Sequence, residues 1–127
     1  MNGRILVVED DADILRILSF ILEEAGYQVI PAYGTEDAIR KMKLHRFDLV
    51  MTDLAMPKVS GVEVIEAVKT DPQMQHIPVI AVTAHMWEEL AQAAANAGCD
   101  GYIAKPFNNR QVVLEVQKQL SKRSRTS

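Results

Sequence analysis

Ile5-Leu6-Val7-Val8, followed at once by Glu9-Asp10-Asp11, is the stretch on which the fold turns. The first four residues form a compact apolar run rich in β-branched side chains. Such a run predicts a strand covered on both faces, as in a parallel sheet. From Ala12 to Ala25 the apolar positions Ile14, Leu18, Ile21, Leu22 and Ala25 recur at helical spacing, with Asp13, Arg16, Glu23 and Glu24 on the other side. That pattern predicts an amphipathic helix. Asp11 is placed to cap its start and Gly26 to close it.

The same alternation continues along the chain. Gln28 to Ala32 predicts a second strand, and Thr35 to His45 a second helix with Thr35 as its cap. Leu49 to Thr52 predicts a third strand, and Gly61 to Lys69 a third helix with Val62, Ile65 and Val68 inward. Pro78 to Val82 is the fourth strand, its proline at the first position, where a missing N–H is tolerated. Met86 to Ala97 is an Ala-rich fourth helix, Gly101 to Ala104 a short fifth strand, and Asn108 to Ser121 a final helix with Val112, Val116 and Leu120 inward. Successive βα units predict an α/β fold, a doubly wound five-stranded parallel sheet in the order 2-1-3-4-5. Pro31 agrees, because that order makes the second strand an edge.

At 127 residues, 48% apolar and 24% charged, the chain has the composition of one globular domain with its own core. Residues 1–121 are expected to form that domain. Residues 122–127 are read as a short basic tail or linker stub, with Ser121 to Ser127 unstructured. The formal charge of −3 gives no overall attraction to nucleic acid or to an anionic membrane, and neither is expected as a direct partner. Cys99 is the only cysteine, which excludes an internal disulfide, suits the cytoplasm and suggests a small buried filler. Ile5 to Val8 is far too short for a signal peptide or a membrane span.

In a sheet of this order ligands bind beyond the carboxyl ends of the strands. The first strand ends in Glu9-Asp10-Asp11, the third in Asp53 and the fourth in Thr83, while the fifth leads into Lys105-Pro106. Crowded carboxylates repel one another unless a cation neutralises them. Oxygen donors without His or Cys suit Mg²⁺. An added lysine and hydroxyl suit phosphoryl transfer, with an Asp as nucleophile.

Four motifs stand in order at the ends of successive predicted strands: Val7-Val8-Glu9-Asp10, Asp53-Leu54-Ala55-Met56-Pro57-Lys58-Val59-Ser60-Gly61, Val82-Thr83-Ala84, and Gly101-Tyr102-Ile103-Ala104-Lys105-Pro106-Phe107. With them the chain resembles the receiver domains of two-component response regulators, the CheY-like family, through about Leu120. The resemblance implies the flavodoxin/CheY-like (βα)5 fold and assigns roles. Asp53 is the expected phosphoacceptor. Asp10, Asp53 and the Ala55 backbone carbonyl are the expected Mg²⁺ ligands, with Glu9 acting through a metal-bound water and Mn²⁺ as a substitute cation. Lys105 pairs with the phosphoryl oxygens, and its bond to Pro106 is expected in cis. Thr83 donates its hydroxyl to the phosphoryl group, and Tyr102 is the switch aromatic. The implied donor is a phosphohistidine on a sensor histidine kinase or a histidine phosphotransfer protein. A downstream partner is expected on the fourth helix, fifth strand and fifth helix, with dimerisation left open.

Some readings compete. Asp11 is simplest as a helix cap, and Met42, Met51, Met56 and Met86 need only packing. Ala55 and His85 lie near the path of a hydrolytic water, which leaves the lifetime of a phosphorylated state open, and the roles of His85 and Trp87 are not fixed. A flavin site would want a phosphate-cradling loop where Glu9-Asp10-Asp11 stands. A haloacid dehalogenase-type phosphatase would want a second Asp at Ala55. The chain is thus expected to catalyse only its own phosphorylation and dephosphorylation. The alternative is a pseudo-receiver that takes no phosphate and acts as a protein-interaction module. A stand-alone receiver and a piece of a larger regulator or hybrid kinase fit equally.

Overall fold

Short β-branched runs gain most when both faces are covered, and helices that each present one apolar stripe provide the cover. The computed structural model, which describes residues 3–55, 61–84 and 88–126, shows this arrangement. In chain order the elements are β1 Arg4–Val8, α1 Ala12–Glu24, β2 Gln28–Ala32, α2 Thr35–Leu44, β3 Leu49–Asp53, α3 Val62–Lys69, β4 Val79–Thr83, α4 Glu88–Asn96, β5 Gly101–Ala104 and α5 Asn109–Thr126. The strands form one parallel sheet in the order β2-β1-β3-β4-β5. Pro31 lies on the edge strand β2, opposite Val7.

Alternate residues of each strand feed two separate cores. Ile5, Val7, Leu49, Met51, Ile80 and Val82 pack with buried side chains of α1 and α5. Leu6, Val8, Val50, Val79 and Ala81 face the other way, onto α2, α3 and Ala94 of α4. Both faces of the sheet are therefore dry. No described helix is long and apolar enough to cross a membrane.

The caps are where local chemistry departs from expectation. Asp11 caps α1 as expected, its Oδ1 accepting from the backbone N–H of Asp13 and Ile14 at 2.9 and 3.2 Å. Gly26 follows with φ 98°, a value that glycine adopts without a Cβ clash. Thr35 does not cap α2. Gly34 occupies the cap position, and Thr35 is buried inside the first turn with its hydroxyl lacking a hydrogen-bond partner. Asp37 does the capping work instead, accepting the Tyr33 N–H at 3.1 Å from three residues inside the cap. Asn108 and Gln111 form a reciprocal pair at the start of α5, each donating its N–H to the other's side-chain oxygen at 2.9 and 2.8 Å.

Three further expectations are corrected. On α1, Leu15 is buried and Ala25 is exposed, because Leu15 lies three and seven residues before Leu18 and Leu22 on one stripe. On α3, Val64 is fully buried while Val62 is only half-buried. Residues 122–126, expected to be unstructured, continue α5 to Thr126. No Gly or Pro interrupts them, so nothing in the sequence stops a helix already begun. The expected start of the fourth helix at Met86 lies outside the described residues.

Lys69 ties the far side of the molecule together. Its ammonium donates to the carbonyls of Ile77 and Gln75 at 2.8 and 3.2 Å and pairs with Asp100 at 2.8 Å. Asp100 in turn accepts the Val79 N–H at 2.8 Å, so one ammonium joins the end of α3, the entry to β4 and the entry to β5. Cys99 is half-buried beside it and donates to the Gly101 carbonyl at 3.1 Å; burial pushes its thiol pKa up, as suits a filler rather than a reactive thiol. Lys69→Met should cost roughly 2 kcal/mol in urea melts, because half-buried carbonyls and a carboxylate lose their donor. Lys43→Met, at an exposed position, should change stability by less than about 0.5 kcal/mol.

Candidate functional site

Register alone brings the chemistry to one rim. Val8 pairs with Thr52, so Glu9 and Asp53 leave the sheet side by side. Asp53 pairs with Val82, and Thr83 with Ala104, which sets Thr83 and Lys105 on the same edge. The backbone continues the match: Glu9 N–H donates to the Ala32 carbonyl and Lys105 N–H to the Thr83 carbonyl, both at 3.0 Å. The bond between Lys105 and Pro106 is cis.

Of the polar residues gathered there, Glu9 is 1% exposed, Asp53 6% and Thr83 0%, whereas Asp10 is open to solvent. The Lys105 ammonium donates to Glu9 Oε1 at 2.9 Å and to Asp53 Oδ2 at 3.0 Å. The other oxygens are also engaged: Glu9 Oε2 accepts the Asp11 N–H and Asp53 Oδ1 the Ala55 N–H, each at 3.1 Å. Glu9, Asp10 and Asp53 can each offer one oxygen to a common point, these atoms lying within 4.8 Å of one another.

Burial raises the Glu9 pKa, and its bonds to Lys105 and the Asp11 amide only partly offset this. Burial pushes Lys105 the other way, but its bonds to Glu9 and Asp53 prevail and hold its pKa above the ordinary value. A negatively charged site closed by one ammonium is thus under strain in the absence of a cation. Hard oxygen donors with no nitrogen or sulfur among them fit a small divalent ion such as Mg²⁺.

Tyr102 lies two strand positions before Ala104, the partner of Thr83 at this rim, and is half-buried against the α2–α4 side of the sheet. Its hydroxyl reaches the Ala91 carbonyl of α4 at 3.5 Å. Residues 56–60, which hold Met56-Pro57-Lys58-Val59-Ser60, and residues 85–87, His85-Met86-Trp87, lie outside the described residues.

One positioning residue carried no role in the sequence reading. A Cβ on Gly61 would fall 1.8 Å from the Asp53 carbonyl oxygen and 2.9 Å from Leu54 Cα. Gly61 also donates its N–H to the Leu54 carbonyl at 2.9 Å. The start of α3 therefore rests directly on the backbone of Asp53, and only glycine permits that approach. The signal available was a glycine closing the loop after Asp53.

Comparison with known proteins agrees with this arrangement. The family model of the response regulator receiver domain matches residues 5–117. The polar-differentiation response regulator DivK of Brucella anthropi is 32% identical over 120 residues, covering 94% of this chain and 98% of DivK. The crystal structure of a CheY-like response regulator receiver domain protein from Methanospirillum hungatei is 32% identical with a TM-score of 0.92, covering 100% of both chains. The receiver domain of a signal transduction histidine kinase from Syntrophus aciditrophicus is 32% identical with a TM-score of 0.87, covering 94% of this chain and 91% of that one.

The electrostatics predict two melting results in metal-free buffer. Asp10→Asn should raise stability by about 1 kcal/mol, or roughly 4 °C in Tm, by removing a charge from a repulsive cluster. Glu9 keeps its proton to higher pH when folded than when unfolded. Its contribution to stability is therefore largest below about 4.5 and falls as pH rises through the raised folded pKa. Urea melts across that window should show a decline in the wild type that is weaker in Glu9→Gln.

Proposed function

The chain belongs to the response regulator receiver domain family of two-component signalling, and on that premise we propose that Asp53 is its phosphoacceptor. The observation that carries the reading is the Lys105 ammonium 3.0 Å from Asp53 Oδ2, beside carboxylates gathered within 4.8 Å. An Asp53 carboxylate oxygen attacks the phosphorus of a phosphohistidine, on a sensor histidine kinase or a histidine phosphotransfer protein. The N–P bond breaks, its electron pair leaves with the imidazole nitrogen, and that nitrogen takes up a proton. Lys105 follows the charge onto the phosphoryl oxygens, and Thr83, at the end of β4, supplies a hydroxyl donor to them. The Ala55 N–H, already on Asp53 Oδ1, holds the carboxylate in its plane.

Asp10, Asp53 and the Ala55 carbonyl would hold Mg²⁺, with Mn²⁺ as a substitute. The cation would neutralise the incoming phosphate and the carboxylates together. The protein modifies only itself and turns over no external substrate, and its proposed setting is the cytoplasm, where such donors act. The output passes through Thr83 and Tyr102 to a partner surface on α4, β5 and α5. Tyr102 suits this role because its hydroxyl contact with Ala91 of α4 is long, at 3.5 Å, and so is weak enough to be exchanged in a switch.

Asp53→Asn keeps the side-chain size and removes the nucleophile. With acetyl phosphate and Mg²⁺, intact mass should show a phosphoryl adduct on the wild type and none on this variant. An equal adduct on both would place the phosphate elsewhere. Thr83→Ala should still take phosphate, but with beryllofluoride and Mg²⁺ the NMR shifts of Tyr102 and Ala91 seen in the wild type should be lost.

A further inference from the structure

At the end of the sheet opposite the acidic rim, the end of α2 and the segment before β4 enclose a cavity of about 710 Å³. Its walls follow from local structure. α2 stops at Leu44, and His45 closes it in an extended conformation, its N–H donating to the Lys41 carbonyl at 3.0 Å. The chain then turns inward to the buried Phe47. On the other side, the Asp71 carbonyl accepts the N–H groups of Met74 and Gln75 at 3.0 and 2.8 Å. Lys69 takes the carbonyls of Gln75 and Ile77, which holds this second wall in place. The volume lies within the range of small-molecule sites, about 300–1,000 Å³.

Floor and mouth differ in chemistry. Met42, Phe47 and Ile77 are buried and Met74 is half-buried, which makes the floor apolar. The His45 ring stands edge-on to Phe47, with centroids 6.1 Å apart. Lys43, His45, Arg46 and His76 line the mouth in exposed positions. Asp48 is the only carboxylate among the lining residues, and it already accepts the Arg4 N–H at 2.8 Å. The carbonyl end of α2 adds about half a negative charge. Two fixed cations outweigh these together, and the imidazoles add further N–H donors. An uncharged ring would leave those donors unused, and a bare anion would leave the floor wet. We propose that the cavity binds a small aromatic anion, its ring against Met42, Phe47 and Met74 and its phosphate or carboxylate held by Lys43 and Arg46. The site stands apart from the rim, since β3 starts here at Leu49 and ends at Asp53, about 13 Å further on. It does not depend on Asp53 taking phosphate.

The test is a titration of the whole chain in metal-free buffer, read by backbone amide NMR shifts. The probes are naphthyl phosphate and naphthoate, with naphthol as the ring without the charge and inorganic phosphate as the charge without the ring. At least one aryl anion should shift the amides of residues 43–48 and 73–77 and saturate below about 1 mM. The tighter of the two identifies the head group as phosphate or carboxylate. Naphthol and inorganic phosphate should each bind about tenfold more weakly, because each uses only half of the site. Leu44, 70% exposed, lines the mouth, so substitution there leaves the core intact. Leu44→Glu should weaken the anion about tenfold by repulsion, whereas Leu44→Gln should change it by less than about threefold. Arg46→Gln should weaken the aryl anions and leave naphthol unchanged. Absence of saturable shifts in these two segments overturns the proposal, as do shifts confined to Glu9, Asp53 and Lys105. Equal binding of naphthol or of inorganic phosphate overturns it too, and so does a Leu44→Glu variant that binds like the wild type. The wild-type comparison of the four probes decides the matter even where a variant does not fold.

Discussion

Carboxylates from Glu9, Asp10 and Asp53 share the end of a buried sheet with the ammonium of Lys105. Water cannot relieve the imbalance, because two of those acids are almost fully enclosed. The sheet makes the crowding unavoidable. Its strands run parallel, so their carboxyl ends meet at one edge, and the register of β1, β3 and β4 fixes which residues arrive there. Two dry cores hold the strands in place against the repulsion at their tips. The stability of the layers is what permits an unfavourable set of charges to persist, as functional sites commonly require.

The side chains of Tyr102 and Ile103 show how such a rim connects to the rest. They are consecutive on β5 and face opposite cores. Ile103 joins the α1–α5 side, whereas Tyr102 joins the side that carries α4. Thr83, on the neighbouring strand, is tied to Lys105 through its own carbonyl. One backbone hydrogen bond and the length of β5 therefore separate Thr83 from the tyrosine.

Much of this was legible in the sequence, and the reasons are specific. Ile5 to Val8 and Leu49 to Thr52 are uninterrupted because both sides of a strand are covered, and the acids follow at once because the strand ends at the rim. The rest depended on contacts that local pattern does not encode. Thr35 has the chemistry of a cap, yet Gly34 and Asp37 take the position between them. Gly61 matters through its fit against the backbone of Asp53, eight residues earlier in the chain, rather than through any propensity. Lys69 reaches carbonyls in a segment whose path is set only by the tertiary fold. The last turns of α5 have the polar composition of a tail, although a run without glycine or proline can extend a helix already begun.

Pro31 has a consequence for how the molecule meets other chains. Its neighbour Ala32 turns its carbonyl inward to Glu9, so Pro31 faces outward from the edge strand. Proline brings no N–H there, and its carbonyl is already held by the Lys41 ammonium. A foreign strand approaching β2 thus meets neither a donor nor an unclaimed acceptor at that position. This edge of the sheet is guarded against templated strand addition, the route by which exposed edges seed aggregates.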